Sequence, residues 1–197
     1  MISRTNHAKR FWKTSFFFLI ALMLTVPLSQ AHAATYQSLY SFVARDGGRP
    51  QGIVLDKTGT LFGVTPGIVY EFDPTTKEIT TLYAFSGGDD GASANGAPVI
   101  DSSGALYGTT SKGGTTKNCN FNCGVVFKLT PPSAGKTAWT ETVLHDFSGP
   151  DGGMPASLVF GPSGILYGTV LTGNDQTDSE GAWGGIFKLT PPAAGIR

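Results

Sequence analysis

The chain has 197 residues, with 14 Lys plus Arg, 14 Asp plus Glu, 27 Gly, 12 Pro and 2 Cys. Charged residues make up 14%, against about 25% in an average soluble domain. Nothing resembles a basic stripe, which disfavours a nucleic-acid binder; 40% hydrophobic residues disfavour a disordered tail, and two cysteines exclude a disulfide-dense mini-protein.

Arg4, Lys9, Arg10 and Lys13 precede an apolar run from Phe16 to Leu28, which leads into Ala31-His32-Ala33. This is the layout of an export signal with a small-x-small cleavage pattern, and it predicts cleavage after Ala33. The run is shorter than the about 20 residues a membrane span needs, so an uncleaved anchor is the weaker reading. Arg10 has no adjacent Arg for twin-arginine export, and no Cys near the cut marks a lipoprotein. Residues 1–33 hold four basic and no acidic residues, so ten basic and fourteen acidic remain after cleavage, a net charge of −4. The expected localisation is extracellular, at the cell surface or periplasmic, with no membrane span left after cleavage.

Every glycine follows residue 33, which nearly excludes helix and favours short strands joined by turns. Three copies of one unit then follow in the chain, about 36–79, 80–139 and 140–197. Each opens on an aromatic strand: Leu39-Tyr40-Ser41-Phe42, Leu82-Tyr83-Ala84-Phe85 and Leu144-His145-Asp146-Phe147. Asp-Gly loops come next at Asp46, Asp90 and Asp151. A second strand (Gly52–Leu55, Ala97–Ile100, Ser157–Phe160) ends in the turns Asp56–Gly59, Asp101–Gly104 and Gly161–Gly164. Asp at the first turn position hydrogen-bonds the backbone ahead of it, and Gly at the fourth tolerates positive φ.

The third strands, Leu61–Thr65, Leu106–Thr110 and Leu166–Val170, each contain a Gly at the same place. That predicts a bulge or a close approach. Fourth strands run Val69–Phe72, Val126–Leu129 and Ile186–Leu189, with charged residues alternating against apolar ones as expected for one buried and one wet face. Four antiparallel strands in about 40 to 50 residues predict an all-β, β-propeller-like array of three four-stranded blades. The loop between third and fourth strands grows from Pro66-Gly67 in copy one to Ser111–Cys123 and Leu171–Trp183 in the others. Growth at one loop type marks one face as variable, where either ligand binding or tolerated insertion can reside.

Gly104-Ala105-Leu106-Tyr107-Gly108-Thr109-Thr110, Gly113-Gly114, Gly124-Val125-Val126-Phe127-Lys128-Leu129-Thr130-Pro131 and Leu144-His145-Asp146-Phe147-Ser148-Gly149 together resemble the GloVer tandem repeat of secreted bacterial proteins. The resemblance covers the chain after the export signal. It implies an exported, propeller-like protein, usually attached to a surface through differing C-terminal anchors, and carries over no established enzymatic activity. No such anchor is visible here, and three blades fall below the about four to eight of a closed propeller. The expectation is an incomplete array: a truncated frame, a gene fragment, or a subunit that completes its ring as a homodimer or with further blades.

Cys119 and Cys123 read first as a local disulfide in an oxidising compartment; zinc is disfavoured because only His145 follows the export signal and no second Cys pair exists. Trp183 aligns with Cys123 and either presents an aromatic surface for sugar stacking or packs against a neighbouring blade. His145 sits beside Asp146 but in the slot of Tyr40 and Tyr83, which argues for an aromatic-sized strand residue over a general base. Asp46, Asp90 and Asp151, with Asp89, read as turn acids before calcium ligands, since each loop supplies one or two carboxylates. No nucleophile elbow or phosphate loop is present, so no catalytic residue, metal or cofactor is assigned. The leading expectation is a non-enzymatic exported module binding a glycan or surface protein; the alternatives are a propeller lyase or hydrolase acting on extracellular polysaccharide, and a fragment without function.

Overall fold

The computed structural model describes residues 34–116, 123–173 and 183–190, so the predicted export signal lies outside the described residues. The chain divides into two compact units, Met1–Gln37 and Ser38–Arg197. Of the first, residues 34–37 are described, without regular structure and exposed. The second is all-β.

Its strands form three antiparallel sheets in chain order. The first is β1 (Gly52–Leu55), β2 (Leu61–Val64), β3 (Ile68–Asp73) and β4 (Glu78–Ala84). The second is β5 (Ala92–Ile100), β6 (Leu106–Lys112), β7 (Val125–Thr130) and β8 (Thr140–Asp146). The third has three described strands, β9 (Gly153–Phe160), β10 (Leu166–Thr172) and β11 (Gly185–Leu189). Each strand pairs with its sequence neighbour, a meander of the kind expected. Among the described residues no helix is long and apolar enough to cross a membrane.

The sheets are out of phase with the sequence repeat by one strand. The aromatic strand that opens the second repeat is β4, which closes the first sheet with Val69 opposite Tyr83; the one that opens the third repeat is β8, with Val126 opposite His145. Leu39–Phe42, the equivalent segment of the first repeat, is not a strand and has no sheet partner among the described residues. Its rings are nonetheless placed as in the later copies. Phe42 packs edge-on to Tyr70 at 5.1 Å, as Phe85 does to Phe127 at 5.1 Å and Phe147 to Phe187 at 5.2 Å.

The glycine inside each third strand is explained by a ring in the next strand. Gly63, Gly108 and Gly168 lie opposite Tyr70, Phe127 and Phe187. A Cβ at these glycines would meet a ring carbon of the facing side chain at 2.4, 2.4 and 2.2 Å. The expected close approach is therefore made by an aromatic side chain lying across a bare backbone.

The tight turns follow their chemistry in two copies. The Asp56 carboxylate accepts from Thr58 N and Thr60 N at 2.8 and 2.9 Å, and Asp101 accepts from Ser103 N and Ala105 N at 2.8 and 3.1 Å. In the third copy Gly161 replaces the acid, and a 3-10 turn over Pro162–Gly164 takes its place. Apolar clusters fill the two gaps between sheets. Phe62, Val64 and Val69 meet Leu106, Val125, Phe127 and Leu129 in one, and Cys123, Val126 and Phe147 meet Val170, with Leu158, Phe187 and Leu189 against them, in the other. Ala94 N donating to Pro66 O at 3.1 Å and Met154 N donating to Cys123 O at 2.7 Å tie each sheet to the next.

Candidate functional site

The meander separates two ends of the sheets. At one end lie the tight turns; at the other lie the variable inserts and the Asp-Gly loops, where Gly114 N donates to Gly88 O at 3.0 Å and Phe85 N to Gly67 O at 2.9 Å.

At the insert end, the three loop acids are built into one repeated device. The strand residue two before the packing Phe reaches over to the acid of the following Asp-Gly loop: Tyr40 Oη donates to Asp46 at 2.8 Å, Tyr83 Oη to Asp90 at 3.0 Å, and His145 Nε2 pairs with Asp151 at 2.8 Å. The same carboxylates collect loop donors, Val43 N on Asp46 at 3.1 Å, Ser86 N on Asp90 at 2.7 Å and Ser148 N on Asp151 at 2.7 Å. Desolvation would raise the Asp90 and Asp151 carboxyls, but the serine donors and the Tyr83 or His145 bond hold both below the ordinary value. At Asp46 the Tyr40 hydroxyl leads the lowering. Desolvation and the Asp90 bond push Tyr83 up to about 12.

His145 and Asp146 do not act as a pair, because consecutive strand residues point to opposite faces. Asp146 turns toward the insert and accepts from Thr115 N at 2.7 Å and from the Thr115 hydroxyl. It thereby anchors the loop that leads into residues 117–122, which lie outside the described residues and include Cys119. Cys123 is fully buried between the second and third sheets. Trp183, at the root of the third insert, is 90% exposed.

At the opposite end, an open groove of about 440 Å³ runs between the turns of the first two sheets, lined by Leu55, Asp56, Lys57, Ile100, Asp101 and Ser102. It is a shallow surface of mixed polarity, with both acids already engaged by their own turns.

One residue escaped the sequence reading. Glu141 of β8 is half-buried; burial pushes its carboxyl up to about 7, and the Asp90 charge adds to the effect. Its Oε1 is buried without a hydrogen-bond partner. The repeat held a signal for it: Glu141 lies opposite Leu129 just as Ile79 lies opposite Phe72 in the first sheet, so an acid occupies an apolar slot.

Among structures of known proteins, the PQQ-bound aldose sugar dehydrogenase of Streptomyces coelicolor superposes with a TM-score of 0.55 at 16% identity, over 81% of this chain and 49% of that one. The virginiamycin B lyase of Staphylococcus aureus gives 0.42 at 18% identity over 73% and 42%, and PorZ, a surface component of the type-IX secretion system of Porphyromonas gingivalis, 0.47 at 12% over 71% and 20%. The chain spans half or less of the length of each. No curated protein matches the sequence. The first superposition defines the class: a β-propeller-like repeat protein. The chain belongs to the Gloeobacter/Verrucomicrobia repeat family, whose sequence profile matches residues 28–197.

Proposed function

We propose that this is an exported, non-enzymatic repeat protein that binds a surface glycan or protein through the insert end of its sheets. The observation that carries the reading is the contrast at that end. Strand pairing, the glycine-ring contacts and the Tyr or His clasp on the loop acid recur from copy to copy, while the insert between third and fourth strands changes in length and composition. A constant frame with one variable loop type is how repeat scaffolds present recognition surfaces. Trp183 supplies an exposed ring suited to stacking on a sugar. A Cys119–Cys123 disulfide shapes the second insert in this reading, in keeping with the spacing of the two cysteines and the oxidising compartment that export implies. Export rests on the pattern of residues 1–33.

The test is a glycan array and surface-protein pull-down with the folded protein, repeated with Trp183→Ala. Captured ligand that weakens at least tenfold in the variant supports the reading. Folded protein that captures nothing from either source overturns it.

A second reading, a lyase or hydrolase acting on extracellular polysaccharide, is favoured by one observation: a half-buried carboxyl near neutrality is what a general acid or base needs. It requires turnover on a polysaccharide panel that Glu141→Gln abolishes without unfolding the protein. A panel without turnover removes it.

A further inference from the structure

Within the chain, each sheet has a face that the next sheet covers and a face that the previous sheet covers, and equivalent residues show which is which. Val69 and Val126 point forward and are fully buried by the following sheet, whereas Ile186, their counterpart in the third sheet, is 84% exposed. Val159 and Tyr167 beside it are exposed as well, and together with Leu158, Gly168 and Thr169 they line a shallow apolar depression. Backward-pointing residues show the converse. Ile100 and Leu158 pack against the preceding sheet, while Ile53 and Leu55 of the first sheet, in the same slots, are 54% and 59% exposed. The bare face at one end of the array is thus of the type that the bare face at the other end covers.

The sheet edges match in the same way. Outward of β11 no strand is paired among the described residues, and Leu39–Phe42 is a fourth-strand sequence with no sheet. In the first two sheets the fourth strand belongs to one sheet while the Phe that ends it packs on the next, as Phe85 does on Phe127 and Phe147 on Phe187. Phe42 already sits in that place on Tyr70. Among the described residues its strand pairs with no sheet.

We propose that the third sheet of one copy is completed by the first sheet of a second copy. Leu39–Phe42 of that copy pairs beside β11, with Tyr40 opposite Ile186 as Tyr83 is opposite Val69 and His145 opposite Val126. Strand addition supplies backbone hydrogen bonds to a free edge, and Ile186, Val159 and Tyr167 bury against Ile53 and Leu55. Occupation by a second copy is favoured because the two bare faces complement each other and not themselves, so the contact is head-to-tail. Two such contacts between two copies close a ring of twice three sheets, within the about four to eight blades that closed propellers use.

The experiment is light scattering on the purified full-length protein and on Ile186→Glu and Ile53→Lys. Both positions are more than half exposed in the single chain, so the variants remain folded, which circular dichroism verifies. The natural protein is expected at twice the chain mass and each variant alone at the chain mass. An equimolar mixture of the two variants is expected to return to twice the chain mass, since one contact then sets the introduced carboxylate against the introduced ammonium and the other keeps both isoleucines. A natural protein that stays at the chain mass, variants that still double, or a ladder of larger masses each overturns the closed two-copy arrangement. These outcomes are independent of the ligand screen, which needs only folded protein.

Discussion

Val126-Phe127-Lys128-Leu129-Thr130-Pro131 and Ile186-Phe187-Lys188-Leu189-Thr190-Pro191 are nearly the same sequence in the second and third sheets, yet the first is sealed and the second is open. Phe127 is fully buried between Phe85 and the ridge of Leu106 and Val125, whereas Phe187 is half-buried beneath Phe147 and the Ile186 face beside it meets solvent. Local pattern sets the strand and the side to which each residue points; what covers that side is decided by the neighbouring sheet. A repeat protein therefore holds residues of equal sequence and unequal energetic weight.

The largest expected effect is at the phenylalanines. Phe127→Ala should destabilise by about 3–5 kcal/mol, the range for a fully buried ring, and Phe187→Ala by roughly half of that. Chemical denaturation of both variants in an Ile186→Glu background, which removes the proposed contact between copies, measures the difference. Equal losses would break the comparison. Under the proposed two-copy arrangement the gap should narrow in the natural protein, because the added strand would flank β11.

Next come the glycines that the rings cover. A Cβ at Gly108 would meet Phe127 Cζ at 2.4 Å, and Phe127 has no free space to yield, so Gly108→Ala should cost about 1–3 kcal/mol. Gly168→Ala meets Phe187 Cζ at 2.2 Å and also the Ser157 carbonyl oxygen at 2.6 Å; the ring borders solvent and can swing away but the backbone oxygen cannot, so the cost should be at least as large as at Gly108. Thermal melts of the two variants under the same conditions rank them, and a clearly smaller loss at Gly168 would show that the β9–β10 backbone yields at the open third sheet.

A smaller effect is expected at the clasp. Tyr83→Phe removes the 3.0 Å bond to Asp90 but leaves the Ser86 N–H and hydroxyl on the carboxylate, so about 1 kcal/mol should be lost. Because the folded carboxyls of Asp90 and Asp151 lie below their ordinary value, the stability they contribute is present above the ordinary carboxylate range and is lost as pH falls through the lowered value. Tyr83→Phe should weaken that acid transition, and an unchanged acid limb would remove the clasp from the account.

How far the sequence reveals this architecture can be seen in the same residues. The repeats, turn acids and strand glycines follow from local chemistry, and the structure places Asp56, Asp101, Gly63 and Gly108 accordingly. The phase between repeat and sheet was not legible, because a meander repeat can be cut at any strand and only hydrogen bonding shows that Leu82–Ala84 closes a sheet rather than opening one. The Tyr40, Tyr83 and His145 bonds to Asp46, Asp90 and Asp151 span six or seven residues across a loop, so composition marks the acids as turn residues but not the donors they receive. The adjacency of His145 and Asp146 misleads for the opposite reason: neighbours in a strand point apart.

Glu141 offers the finest comparison, since Ile79 occupies its slot in the first sheet. Burial raises the folded carboxyl from 4.5 to about 7, so between these values the folded chain holds a proton that the unfolded chain has released. Stability associated with this group is present below pH 4.5 and falls as pH rises through about 7, opposite in sign to the loop acids. Glu141→Gln keeps the shape and removes the titration, so its stability should change little with pH over that window while the natural protein weakens. Glu141→Ile, which copies the first sheet, should be at least as stable as the natural protein at pH 8. A natural protein as stable at pH 8 as at pH 5, once the loop acids are accounted for, would place the Glu141 carboxylate in water and leave the two sheets equivalent at this slot.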